Sequence, residues 1–241
     1  MTPSALPPGR GAAADMDPKR PHVWVLDAKE PWFDALADRA VVPDAVRARA
    51  DSLNNPSAAR WLLARRTALR LVLGGYLARP PAELRIVTAP GGKPVLLPGG
   101  SRSCALTFST GHSGDLYCVA VGTMASVGVD VELLRSVQRA RSIATRWFGE
   151  SEAKRFRELP DEALDDEFMR LWTAKEALAK RHGAGLRLMR GRGGDLDVDA
   201  AQAEGRLRRF APGSGYAGAL ASTEVIDDVE IIRPEENPWT T

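Results

Sequence analysis

The sequence predicts an α+β protein, and three observations predict it. Two stretches, 57–77 and 161–181, carry apolar residues at helical spacing. Each long helix pattern is followed by short strand-like runs punctuated by Gly and Pro. The order of elements occurs twice, so the chain reads as a structural duplication: a lead over 1–21, an N-terminal half over 22–126 and a C-terminal half over 127–241. Residue identity between the halves is negligible, so the duplication rests on element order alone.

The lead is rich in Pro, Gly and Ala and is expected to be disordered. It holds no apolar core of signal-peptide length, which argues against export and against a membrane span. Met16, just before the first strand pattern, is a candidate natural start that N-terminal mass analysis of the native protein would test. Residues 22–26 read as a strand, and 31–50 as one or two short helices interrupted at Pro43. Asn55 and Pro56 suit a helix start, and Leu62, Leu63, Leu69, Val72, Leu73 and Tyr76 then mark one face of the first long helix, with a basic face opposite. Strands are expected at 84–88, 94–97, 105–108 and 116–121. After the second long helix, 183–194 is a Gly- and Arg-rich loop, and the tail offers strands at 205–210, 216–221 and 229–233.

Composition narrows the function. The chain has 241 residues with 44% hydrophobic content, enough to bury a core. Lys plus Arg number 33 against 31 Asp plus Glu, so a wholesale nucleic-acid coat is not indicated, and aromatics at 6% are too few for base-stacking stripes. Cys104 and Cys118 fall on neighbouring predicted strands and build no disulfide framework; with three histidines they make no zinc site either. A reducing cytoplasm fits.

Two segments carry chemistry. In V-G-V-D-V-E, residues 127–132, strand alternation points Asp130 and Glu132 to one side. In W-T-A-K-E-A-L-A-K, residues 172–180, helical spacing puts Trp172, Lys175, Glu176 and Lys180 on neighbouring positions of one face. Taken separately, an exposed acidic strand and a solvated helix with one ion pair of a few tenths of a kcal/mol give the same patterns. Taken together, Asp130, Glu132 and Glu176 supply oxygen donors for a hard cation. Magnesium is the natural candidate, since it keeps waters and takes further oxygens from phosphates, and Lys175 and Lys180 suit a pyrophosphate.

These segments resemble the signature of the Sfp-type 4'-phosphopantetheinyl transferases: G-V-D-V-E at 128–132, F-G-E-S-E at 148–152 and W-T-A-K-E-A-L-A-K at 172–180, with Asp130 and Lys175 45 positions apart. Gly92, Lys93 and Pro94 look like the family's G-K-P element, and S-T-G-H-S at 109–113 like its S-H-S segment before a strand, with Gly111 where a small polar residue is usual. The resemblance covers about 60–186.

What the resemblance implies is an enzyme that moves the 4'-phosphopantetheine arm of coenzyme A onto a serine of an apo acyl or peptidyl carrier protein and releases adenosine 3',5'-bisphosphate. It implies two similar halves, each a long helix on a small antiparallel sheet with the active site between them, working as a monomer. Magnesium would be held by Asp130, Glu132 and Glu176. Lys175, Lys180, Lys93 and His112 would contact phosphate, and Arg60 the 3'-phosphate, with Arg65, Arg66 and Arg70 as competitors. Glu152 matches the proposed base, with Glu150 as its rival. Carrier proteins are acidic beside the modified serine, and Arg135, Arg139, Arg141 and Arg146 lie in a run, 135–149, without an acidic residue, a candidate docking edge. Three other classes remain: a non-catalytic family member, a phosphate-binding regulator or nucleic-acid module, and a hydrolase. The first is disfavoured by the full set of site residues, the last by the absence of a G-x-S-x-G elbow.

Overall fold

The computed structural model describes residues 13–38, 41–97, 106–183 and 196–239. Cys104, the start of the strand expected at 105–108 and most of the loop expected at 183–194 lie outside these residues. The architecture is mixed α and β, as the periodicities predict.

The first long helix, α3 (Pro56–Leu77), begins where Asn55 accepts a hydrogen bond from Ala58 N at 3.2 Å, with Pro56 in the first turn. The shorter elements before it are β1 (His22–Asp27), α1 (Pro31–Asp34) and α2 (Asp44–Asp51). The apolar face of α3, including Leu69, Val72, Leu73 and Tyr76, packs against Trp24, Leu26, Val119 and Val121 of a four-stranded sheet. That sheet is ordered β4 (Thr107–Ser113), β5 (Leu116–Gly122), β1, β9 (Glu230–Ile232). Tyr76 OH accepts from Trp24 Nε1 at 3.0 Å, a polar tie inside that core. A separate hairpin, β2 (Ile86–Thr88) and β3 (Pro94–Leu96), stands apart from the sheet.

The second long helix, α6 (Asp161–His182), lies on a three-stranded antiparallel sheet of order β6 (Val127–Leu133), β8 (Tyr216–Ser222), β7 (Leu207–Phe210). Phe168, Leu171, Ala174 and Leu178 of α6 pack with Leu207, Ala219 and Ala221, and with Phe148 and Phe156. Two short helices, α4 (Ala140–Trp147) and α5 (Glu150–Glu158), connect β6 to α6, and α7 (Val198–Ala203) precedes β7. The two sheets meet through a third apolar cluster, with Val23, Val25, Cys118 and Ala120 facing Val127, Val129, Val131 and Leu220. The order through the molecule is helix, sheet, sheet, helix.

Three expectations change. The tail strand expected at 229–233 does not join β7 and β8; β9 pairs parallel with β1, His22 opposite Glu230. The reason is apolar: Ile232 and Trp239 are buried in the first core, and Trp239 stacks on Trp24 at 6.1 Å. The stretch expected to be a disordered lead is packed from Ala13 onward, with Ala13 and Met16 buried and the Pro21 carbonyl accepting from Glu230 N at 3.0 Å. The S-T-G-H-S segment precedes β5 as expected but is itself extended, since the strand expected to end at 108 runs on to Ser113 as β4, with Ser109, Gly111 and Ser113 on the side that abuts β6. Glu150 opens α5, so Glu150 and Glu152 both lie in the first turn of a helix. Among the described residues, no helix is long and apolar enough to cross a membrane.

Candidate active site

A single glycine sets the site. Gly128 of β6 lies so close beneath α6 that a Cβ there would sit 2.1 Å from the Ala177 carbonyl oxygen and 2.4 Å from Arg181 N. This close approach presses the strand face bearing Asp130 and Glu132 against the helix face bearing Glu176 and Lys180. The other side of β6 is fixed to β4, where Ser109 Oγ accepts from Val129 N at 3.1 Å and Ser113 Oγ from Leu133 N at 3.1 Å. Gly111 sits between those serines, where a Cβ would come within 3.0 Å of Asp130 Cα. The structure thus explains the glycine that departs from the family pattern.

Asp130, 2% exposed, is the buried end of the cluster. Its Oδ1 accepts from Lys180 Nζ at 2.6 Å, and its Oδ2 is buried with no hydrogen-bond partner among the described residues. Burial pushes the Asp130 carboxyl up to about 7; Lys180 pulls it down, and Glu176 and Glu132 add to the rise. Burial, and then the Glu132 charge, likewise raise Glu176 against the pull of Lys180. Lys180 loses to burial but gains more from Asp130, Glu176 and Glu132, and its ammonium is held above the usual lysine range. Glu132 Oε2 accepts from Ser113 Oγ at 2.6 Å.

These side chains line a cavity of about 490 Å³ whose opposite wall is basic. Arg65 and Arg66 reach it from α3. The Arg65 guanidinium is sandwiched by aromatics, 5.2 Å from the Trp61 ring and 5.9 Å from Tyr117. His112 stands at the rim, edge-on to Trp61 at 6.2 Å. Partial desolvation, then the positive charges of Arg65 and Lys180, push its imidazole down to about 4. Lys93 enters from the β2–β3 hairpin, and its Nζ donates to Ser126 Oγ at 2.9 Å and to the Val127 carbonyl at 2.7 Å. Burial brings it down to about 8. Ser126 Oγ donates in turn to the Arg181 carbonyl at 2.6 Å, so one chain of bonds joins the hairpin, β6 and the end of α6.

The profile of the 4'-phosphopantetheinyl transferase superfamily matches residues 126–214, which include every carboxylate of this cluster. The 4'-phosphopantetheinyl transferase HetI of Nostoc sp. is 34% identical over 167 residues, 68% of this chain and 69% of that protein. The chain belongs to the 4'-phosphopantetheinyl transferase family. It is an enzyme of that type. The transferase AcpT of Escherichia coli K12 is 31% identical over 145 residues, covering 60% of this chain and 67% of AcpT, and psf-1 of Bacillus pumilus is 34% identical over 133 residues, covering 53% and 54%.

Not all residues expected at this transferase's site gather there. Lys175 and Glu152 are both buried and face each other, Nζ to Oε2 at 2.7 Å, outside the residues that line the cavity. Glu152 Oε2 also accepts from Gly149 N at 2.9 Å, and Lys175 Nζ donates to the Leu196 carbonyl at 3.0 Å. The pair ties α5 to α6. Glu150, its rival, pairs with Arg157 at 3.3 Å. Arg60 is also elsewhere: it is clamped by Asp34 and Asp38, which raise its pKa, beside a different cavity. Arg65 and Arg66 line the cavity that Arg60 does not, while Arg70 is buried, donating to the Pro81 and Leu84 carbonyls. Arg135, Arg139 and Arg146 are exposed, and Arg141 is tied to Asp161 at 2.6 Å.

A feature that spacing did not announce is a second cavity, about 710 Å³, that shares Glu132 and Glu176 with the first and is walled by Val137, Ile143, Phe168, Met169 and Trp172. Helical periodicity marks Phe168 and Met169 only as core candidates, so nothing in the pattern separates a groove wall from the interior.

The donor set fits the magnesium ion that the family resemblance implies. All candidate donors are carboxylate oxygens, and the buried Oδ2 of Asp130 has no partner among the described residues. Among those residues no group of three acidic, His or Cys side chains stands close enough together to hold a metal ion as placed, so the fit rests on the chemistry of the donors. An open set of oxygens suits magnesium, which keeps waters and completes its shell from phosphate.

Proposed function

We propose that this chain transfers the 4'-phosphopantetheine arm of coenzyme A to a serine of an apo acyl or peptidyl carrier protein, with magnesium, and releases adenosine 3',5'-bisphosphate. The observation that carries the reading is the crossing at Gly128, which sets three carboxylates and Lys180 opposite Arg65 and Arg66 in one cavity. A diphosphate with a further phosphate needs that combination of oxygen donors and fixed cations.

Asp130, Glu132 and Glu176 would hold the ion, and magnesium would supply Lewis-acid stabilisation of charge building on the bridging oxygen. The chain's own residues do the rest. Arg65 and Arg66 bind the phosphates of coenzyme A, with Lys93 and His112 at the edges. Lys180 stabilises oxygens that become more negative in the transition state. The carrier serine oxygen bonds to the β-phosphorus as the bond to the adenosine bisphosphate oxygen breaks. The serine proton passes to Glu132 or Glu176, the carboxylates that line both cavities.

The carrier would approach over the exposed Arg135, Arg139 and Arg146, which complement an acidic helix. We also read the chain as two similar halves, 22–126 and 127–241, each a long helix on a sheet, acting as a monomer in the cytoplasm. Both walls of the cavity come from the one chain, which supports the monomer. The test is to mix the protein with a panel of apo carriers, coenzyme A and magnesium and to weigh the carriers. A phosphopantetheine increment on the serine, lost without magnesium, is expected. No increment on any carrier while coenzyme A binds would overturn the transfer.

A further inference from the structure

We propose that Lys180 is a built-in counter-ion that occupies Asp130 until the phosphates of coenzyme A draw it away, so that the divalent cation and coenzyme A enter the pocket together. The inference rests on reading Asp130, Glu132 and Glu176 as the cation site. Three observations carry it.

First, Lys180 Nζ is 2.6 Å from one carboxylate oxygen of Asp130 while the other oxygen is buried and unpartnered among the described residues. The ammonium therefore engages the least solvated member of the carboxylate set. Second, the two ends of the pair differ in freedom. The Asp130 side chain is 3% exposed and the Lys180 side chain 29%, so the lysine, on its flexible four-carbon stem, is the end that can move into the cavity. Third, anions have a place to bind close by, at Arg65 and Arg66 across the same cavity.

A divalent cation arriving alone meets an ammonium already on its best ligand, and like charges at such range in a partly desolvated site repel strongly. A diphosphate offers Lys180 a replacement partner, which releases Asp130. Lys180 is then both the cation that neutralises the pocket at rest and a phosphate contact in the loaded state. Lys175, five positions earlier, has no such freedom, being held by Glu152 and the Leu196 carbonyl.

The experiment is a manganese(II) titration of the full chain without coenzyme A, at pH 8.5 so that the carboxylates are ionised, followed by electron paramagnetic resonance. Wild type, Lys180→Met, Lys180→Gln, Asp130→Asn and the double variant Lys180→Met with Asp130→Asn are compared. Lys180→Met should bind the ion at least tenfold more tightly than wild type, and the added Asp130→Asn should abolish the gain. Lys180→Gln keeps a hydrogen-bond donor without the charge and is read in its place if the methionine variant fails to fold. Binding that depends on Asp130 but is unchanged or weaker without Lys180 overturns this inference and leaves the cation site standing. No binding in any variant, with or without coenzyme A, overturns the cation site itself.

Discussion

Helix α6 carries two acid–lysine pairs that are nearly identical as contacts and opposite in setting. Lys175 meets Glu152 at 2.7 Å and Lys180 meets Asp130 at 2.6 Å. The lysines are five residues apart, about 140° around the helix, so one looks toward α5 and the other toward β6. In the first pair both side chains are buried, 6% and 7% exposed; Gly149 N donates to Glu152 Oε2 and Lys175 Nζ to the Leu196 carbonyl, while Glu152 Oε1 is buried without a partner among the described residues. In the second, one lysine faces three carboxylates at the wall of a cavity. Charge balance separates the two: one acid matched to one lysine holds a structure together, whereas three carboxylates around one lysine prepare a place for a cation.

The largest expected effect breaks the second pair. Asp130→Ala should lower transfer on the order of 10³-fold or more, since it removes the most buried oxygen donor of the site. Mass analysis of the carrier measures the rate and near-ultraviolet circular dichroism checks the fold. A rate within tenfold of wild type would take Asp130 out of the site.

Breaking the first pair should act on stability instead. Glu152→Gln or Lys175→Met leaves one buried charge without its partner, a cost of about 3–5 kcal/mol, while turnover per folded molecule changes less than tenfold. Urea unfolding reads the first and active-site-normalised turnover the second. Replacing both by methionine should recover most of the loss. A Glu152→Gln enzyme that is as stable as wild type but more than a hundredfold slower would restore Glu152 as the base.

Gly128→Ala tests what brings the second pair together. Its Cβ would meet backbone atoms of α6, which cannot rotate aside as a side chain can, and about 1–3 kcal/mol or somewhat more of stability should be lost. The rate should fall with it, because α6 and β6 separate. Normal stability and turnover would show that the crossing tolerates displacement.

How much of this was legible follows the same division. Asp130, Glu132, Glu176 and Lys180 were readable because strand and helix periodicities fix which positions share a face, and both segments keep strict periodicity. Lys175 reads onto that face only through its spacing of three from Trp172, since it stands about 100° from Glu176 and about 140° from Lys180, and a projection does not say which neighbour packs there. The pairing of Glu152 with Lys175 was not readable because the two residues lie on different helices, α5 and α6, and no local pattern relates them. Arg60 against Arg65 and Arg66 depended on the carboxylates of α1 and the segment after it, which a one-helix pattern does not contain. The long helices and most strands were plain in the pattern. The return of β9 to β1 was not, since parallel pairing over two hundred positions leaves no local mark.

The smallest effect asks which lysine the cavity feels. His112 is pushed down to about 4 by desolvation first and then by Arg65 and Lys180. A group whose folded pKa lies below its ordinary value contributes stability above that ordinary value and loses it as pH falls through the folded one. For His112 the window runs from about 6.5 down to about 4, so wild type should lose stability relative to His112→Gln as pH falls across it. The ring is exposed at the rim, where solvent screens charge, which keeps the difference in urea midpoint slight. The sharper measurement is the imidazole titration itself, followed by nuclear magnetic resonance. Lys180→Met removes one of the repelling charges and should lift the His112 pKa back toward its ordinary value. Lys175→Met removes an equal charge from the same helix and should leave it unmoved, because that ammonium is spent on Glu152. Equal shifts in both variants would mean that the two pairs share one electrostatic environment, and that the division between brace and site does not exist.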